Sequence, residues 1–387
     1  MVKTLYPLLT QSGIMTTTAP RPTAVGALRE RVIKFAERIT TPLVPADYLD
    51  VIDPLRSGAD LRGRIVDIRP ETRDAVTVVI KTGRGWKTHT PGQYVRIGID
   101  VDGVRQWRAY SLTSETFRRA GAKRPGDQDG RDGCIAITVK AIPDGVVSNH
   151  LVRHAAVGTV VQLDQAAGDF TLGAEVPAKI LFLTAGSGIT PVMGMLRNLT
   201  DRSADVLVVH SAPTAADVIF GFELRMLASE GRIRLVEKHT DTEGMLDVDQ
   251  LDQLVDDLAE RHTWACGPAG LLAALESRWE AEGISERLHT ERFRASVVTA
   301  GDGGTVTFTK SETVVDADGA QTLLDAGEAA GVLMPSGCRM GICFGCVAPL
   351  RQGAVRDLRS GDLTAAADGV LIQTCVSAAA GACDIEL

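Results

Sequence analysis

The chain has 387 residues, of which 44% are hydrophobic and 23% charged, and its formal net charge is −8. That length exceeds one typical domain and suits three, each with its own core; no apolar tract is long enough to span a membrane, and no domain is basic enough for a nucleic-acid partner. Seven cysteines without the spacing of a disulfide framework point to a reducing compartment.

In chain order, the opening MVKTLYPLLTQSGIMTTTAP lacks an adequate apolar run or cleavage site and reads as a tail rather than a signal peptide, with Met15 as an alternative start. Residues 1–40 hold six bases against two acids. Leu28, Val32, Phe35 and Ile39 recur there at helical spacing and stop before Pro42, with arginine and lysine on the polar face. Two readings stand for residues 22–40: a helix resting on anionic headgroups at the inner face of the membrane, or one packed on the chain's own barrel.

From Leu61 the pattern turns to short β-branched strands, RGRIVDIRPETRDAVTVVIKT, PGQYVRIGIDV and QWRAYSLTS, with turn signals between them, which predicts an antiparallel barrel. Residues 114–133 are a polar, Gly-rich loop with Arg118, Arg119, Lys123 and Arg124 clustered, either a solvated face or a steering surface for an acidic partner domain. From Ala178 apolar strands alternate with helical stretches, as in a parallel α/β sheet. Residues 295–304 are small and flexible in composition and read as a linker. The expected organisation is an extension at 1–60, a barrel at 61–175, an α/β domain at 176–296 and an α+β domain at 303–387.

In that last domain Cys338, Cys343 and Cys346 follow C-x4-C-x2-C, with Cys375 distant, the spacing of a plant-type [2Fe-2S] centre. Structural zinc sites usually pair their ligands in two close couples instead. Ten acids against five bases over 303–387 make this an acidic carrier suited to basic docking surfaces. In the α/β domain, Gly186 and Gly188 follow an apolar strand and open a helix with Thr190 and Pro191, so backbone N–H groups there can hold a pyrophosphate. Val209-His210-Ser211 ends the next strand without the acidic residue that favours NADH, which tilts the donor toward NADPH, with Arg225, Arg232, Arg234 and Lys238 left as cations for its 2′-phosphate.

Arg108-Ala109-Tyr110-Ser111-Leu112-Thr113 resembles the RxYSxT flavin motif of the ferredoxin-NADP reductase superfamily, Gly145-Val146-Val147-Ser148 its GxxS element, and Gly186–Pro191 its GxGxTP nucleotide loop. The resemblance implies a β-grasp fold for the ferredoxin domain, FAD held by Arg108, Tyr110, Ser111, Thr113, Val147 and Ser148, and NADPH or NADH on Gly186, Gly188, Thr190, Pro191, Ser211, Cys266 and Gly267. It also implies a reaction centre of Ser111, Cys266, Glu291 and Phe293, with Cys338, Cys343, Cys346 and Cys375 as iron ligands. The segment KFAERITTPLVPADYLDVIDPL is similar to reductases that serve membrane-bound fatty acyl-CoA desaturases. The implied activity is electron transfer from NADPH through FAD and [2Fe-2S] to such a desaturase, in the cytoplasm; the alternative acceptor is a Rieske-type or other soluble oxygenase.

Overall fold

The structure is a computed structural model that describes residues 53–387 apart from 57–59, 102, 117–132, 144, 174, 201–202, 294–299, 338, 340 and 342–343. The amphipathic segment 22–40, the basic loop cluster, Cys338 and Cys343 therefore lie outside the described residues. Pro54–Leu387 forms one compact unit, in which three sheets succeed one another along the chain.

The first sheet is antiparallel, in the order β4-β3-β6-β1-β2-β5, from β1 (Arg62–Thr72), β2 (Ala75–Thr82), β3 (Tyr94–Val101), β4 (Val104–Ser111), β5 (Cys134–Lys140) and β6 (Val160–Leu163). Its two outer strands meet through a Leu112–Ile137 bridge and a hydrogen bond from the Thr113 N–H to the Ala136 carbonyl at 2.9 Å, so the sheet closes and loses its free edges. Inward Ile65, Val78, Ile80, Val95, Ile97, Leu112, Ile135 and Ile137 fill the interior. Helix α1 (Val146–Arg153) plugs one end with Val147 and Leu151. Every residue from Ala75 to Ile80 is buried, because the outer face of β2 is covered too.

The second sheet is wholly parallel, in the order β11-β10-β7-β8-β9: β7 (Lys179–Ala185), β8 (Asp205–Ala212), β9 (Arg234–His239), β10 (His262–Cys266) and β11 (Leu288–Glu291). Helices α2 (Ile189–Asn198), α3 (Gly221–Ser229) and α4 (Ala269–Ala281) accompany it. Ile180, Phe182, Val206, Val208 and Trp264 face one apolar layer, and Leu181, Leu183, Leu207, Val209 and Ala265 the other, which is why these strands read as continuous apolar runs. The chain winds from β7 outward through β8 to β9 and then returns to the other side of β7 as β10. That reversal opens a crevice at the carboxyl ends of β7 and β10, where open α/β sheets bind ligands.

The third sheet is mixed: β12 (Gly304–Phe308) pairs parallel with β17 (Ser377–Ile385), and β13 (Thr313–Ala317), β14 (Val347–Asp357) and β15 (Leu363–Ala365) complete the order β13-β12-β17-β14-β15. A short β16 (Leu371–Gln373) pairs with β14. Helix α5 (Leu323–Ala329) starts at Thr322, whose hydroxyl accepts from the Asp325 N–H at 3.1 Å, an N-cap worth about 1 kcal/mol. Among the described residues no helix is long and apolar enough to cross a membrane.

Candidate electron-transfer site

The carboxyl edge of the parallel sheet collects the expected nucleotide residues by register alone. Cys266 pairs with Thr184 on one side and Glu291 on the other, and Ala185 pairs with Ser211. A Cβ on Gly188 would run into the Cys266 carbonyl, so only glycine lets the β7 loop lie against the β10 loop. Thr190 turns its hydroxyl back to the Ser187 carbonyl at 2.9 Å and Pro191 is buried in the first turn of α2, where a missing N–H costs nothing. These two shape the loop. The N-cap position of α2 carries no side-chain cap and its first turn no acid, which leaves a helix N-terminus able to receive a phosphate group.

Helix α2 also joins this edge to the barrel. A side chain on Gly194 would strike the Leu112 carbonyl. The Arg197 guanidinium donates to the Thr113 carbonyl at 2.6 Å, and Asn198 donates to the Ser114 carbonyl at 3.1 Å while accepting from the Thr116 N–H at 2.7 Å. Gly188 packs on Cys266 and Gly194 on Leu112, about 9 Å apart along six residues of chain, so α2 spans from the carboxyl edge of the parallel sheet to the end of β4.

At that end, Ser111 is buried and its hydroxyl has no partner. Glu291 also keeps an unpartnered buried carboxylate oxygen, and burial pushes its carboxyl up to about 8. Burial, then the neighbouring Glu291, raises the Cys266 thiol well above its ordinary range, so it is a neutral packing group and not a thiolate. Phe293 is 37% exposed and stands two residues beyond β11. An orphaned hydroxyl, a neutral carboxyl and a neutral thiol leave polar groups without a fixed charge at these strand ends.

Arg108, on the same strand, donates to the Trp107 carbonyl at 2.7 Å and meets no carboxylate at ion-pair distance among the described residues. Burial and then Arg339 lower its pKa. A half-buried cation in that state fits an anionic pyrophosphate. Burial raises the Tyr110 phenol, which stays neutral. Thr113 faces Thr138 with hydroxyls 3.5 Å apart, Val147 points into the barrel core, and the Ser148 hydroxyl donates to the Gly145 carbonyl at 3.2 Å. At the GxxS turn the first N–H groups of α1 have no side-chain cap, since the N-cap is Gly145.

The third part of the site is the cysteine loop. Cys346 and Cys375 are buried with their sulfurs 3.2 Å apart, close enough to share one metal atom. Gly341 takes φ 74, and Arg339 and Phe344, neither a glycine, take φ 59 and 55, left-handed backbone at three described positions of the loop. Arg339 pairs with Asp325 at 3.2 Å and with Glu328. Those same three residues act electrostatically on Arg108, so β4 lies within range of their charges. The residues present fit FAD, a pyridine nucleotide and an iron–sulfur cluster.

Sequence reasoning left the 2′-phosphate cation open among four residues. Arg232 precedes β9 and Arg234 opens it, at the opposite edge, with Arg234 paired to Asp205 at 3.2 Å; Arg225 is held by Glu237 at 2.8 Å. Lys238, itself only loosely paired with Glu243 at 3.8 Å, alone of the four is in register with Ser211, followed by His239 at the end of β9.

A closed antiparallel barrel, a parallel nucleotide sheet and a C-terminal ferredoxin domain define a flavin-dependent pyridine-nucleotide reductase with its own one-electron carrier. Residues 182–277 match the oxidoreductase NAD-binding domain and residues 306–380 the 2Fe-2S iron-sulfur cluster binding domain. An NADPH oxidoreductase of Mycobacterium tuberculosis is 49% identical over 376 residues, covering 95% of this chain and 96% of the relative. The chain belongs to this family, ferredoxin-NADP reductase-type oxidoreductases with a C-terminal plant-type ferredoxin domain, whose cofactors are FAD, a [2Fe-2S] cluster and NAD(P)H. A glycine betaine monooxygenase reductase subunit of Chromohalobacter salexigens is 29% identical over 322 residues, covering 74% of this chain and 84% of that one. The solved structure of phthalate dioxygenase reductase superposes with a TM-score of 0.58 at 20% identity, covering 85% of this chain and 98% of that one, a likeness of fold.

Proposed function

We propose that this reductase oxidises NADPH at the Ser111–Cys266–Glu291 edge and delivers the electrons singly, through its ferredoxin domain, to an iron enzyme that activates oxygen. The observation that carries this reading is the position of β4. Through α2 its Ser111 end is tied to the carboxyl edge of the parallel sheet, and its Arg108 lies within electrostatic range of Arg339 in the cysteine loop. When bound, the flavin supplies the conversion of an electron pair into single electrons. The protein's own groups bind and orient: Arg108 and the α1 N-terminus take pyrophosphate, Tyr110 covers a ring face, and Gly186, Gly188 and the α2 N-terminus take the nucleotide phosphates. Ser111 and the protonated Glu291 offer hydrogen bonds at the reacting edge, Cys266 and Gly267 pack the nicotinamide, and Phe293 closes the outer side.

NADPH as donor is supported by Lys238 and His239 beside Ser211. We expect Lys238→Glu to raise the KM for NADPH at least tenfold while leaving NADH kinetics within twofold; equal effects on both would remove Lys238 from this role.

The oxygenase acceptor is favoured by relatives that are reductase components, glycine betaine monooxygenase's at 29% identity and 3-ketosteroid-9-alpha-monooxygenase's at 30%. A second reading, the membrane-bound acyl-CoA desaturase, is favoured by the N-terminal segment. The 49% relative covers 95% of this chain, whereas those two components cover 74% and 69% of it. A cytoplasmic setting, at the inner face of the membrane if the acceptor is a desaturase, suits a chain whose cysteine spacing is not that of a disulfide framework. Adding the purified reductase and NADPH to a Rieske-type oxygenase component or to desaturase membranes, with product counted per NADPH consumed, separates the two. Coupled turnover with only one decides the acceptor, and turnover with neither sinks both.

A further inference from the structure

The Gly341 carbonyl, at the middle of the cysteine loop, is held from outside the loop by two donors, Arg359 Nη1 at 3.1 Å and Gln373 Nε2 at 2.9 Å. The Arg359 guanidinium occupies the space that a side chain on residue 341 would need. It is itself fixed by Asp357, whose carboxylate accepts from Nε at 3.1 Å and from Nη2 at 2.7 Å, and from the Arg359 backbone N–H at 2.8 Å. The turn that carries this pair is tied to the fourth cysteine's neighbour, since the Leu358 N–H donates to the Val376 carbonyl at 2.8 Å. The Arg359 charge feels the Cys375 and Cys346 sulfurs after its main partner Asp357.

We propose that Arg359 is a positioning residue for the iron–sulfur centre: it pins the cysteine loop at Gly341 and holds a positive charge beside the Cys346 and Cys375 thiolates, with Asp357 as its counter-charge. Adding an electron makes the centre more negative, so a fixed cation favours the reduced form and a fixed anion opposes it. Arg359 therefore makes the centre easier to fill from the flavin, and Asp357 sets how far. The inference rests on the assignment of these cysteines to a [2Fe-2S] cluster.

The test is a potentiometric titration of the intact holoprotein, followed by low-temperature EPR and visible absorption, for the unaltered chain, R359Q, D357N, the double variant and R359K. In R359Q, one-electron reduction should become about tenfold less favourable, about 59 mV lower. D357N should shift the potential the opposite way, the double variant should fall between, and R359K should stay within about threefold of the unaltered protein. Loss of cluster to a chelator should be faster in R359Q than in R359K. If R359Q does not retain its cluster, the sign of the D357N shift decides. Shifts of the same sign in R359Q and D357N, or none beyond twofold, would overturn the proposal and leave Arg359 as packing. An unaltered protein with no [2Fe-2S] spectrum would instead overturn the cluster assignment, and this inference with it.

Discussion

Burial alone pushes the Glu291 carboxyl up to about 8 from an ordinary 4.5, and this has consequences for stability and rate. Because the folded chain keeps a proton that the unfolded chain releases from about 4.5 upward, stability falls as pH rises through that window and levels off above about 8. Thermal melts of E291Q should lose this slope. Stopped-flow reduction of the flavin by NADPH should decline above pH 8, as a carboxylate forms beside Cys266, and in E291Q that decline should vanish, with the rate lowered about tenfold or more. The Ser111, Cys266 and Glu291 positions were proposed from the motifs shared with the reductase superfamily, and the strand register brings Cys266 and Glu291 side by side. Lys238 was not singled out, since its pairing with Ser211 depends on parallel register between two strands. Arg359 was hidden too, for it acts across a turn onto a loop eighteen residues earlier.

At the scale of elements, helix α2 does two things, of which its motif announces one. The GxGxTP pattern foretold its N-terminus, but its contact with the barrel rests on Gly194, Arg197 and Asn198, residues with an ordinary helical sequence. We expect Asn198→Ala to leave the Ser114 carbonyl and the Thr116 N–H short of a partner and to cost about 1–3 kcal/mol in denaturant unfolding. Gly188→Ala should separate the β7 and β10 loops and raise the KM for NADPH more than tenfold, while the cluster's EPR signal stays unchanged. The element types were readable from period and composition. Barrel closure through Leu112 and Ile137 was not, because it joins strands separated by the basic loop.

For the whole molecule, the order barrel, nucleotide sheet, ferredoxin was visible in three successive changes of pattern, whereas the electrostatic influence of Arg339 on Arg108 required the folded chain. Phe344 is 68% exposed in the cysteine loop, and we expect it to lie on the path to an acceptor. Phe344→Ala should slow reduction of the acceptor severalfold without altering cluster absorbance, and an unchanged rate would place the exit elsewhere. The most direct test of the electron path is anaerobic titration of the purified protein with NADPH and, separately, NADH, followed by visible and low-temperature EPR spectra. NADPH should bleach the flavin and bring up a reduced [2Fe-2S] signal. A flavin that neither nucleotide reduces, in a protein whose cluster fills with a chemical reductant, would contradict the account.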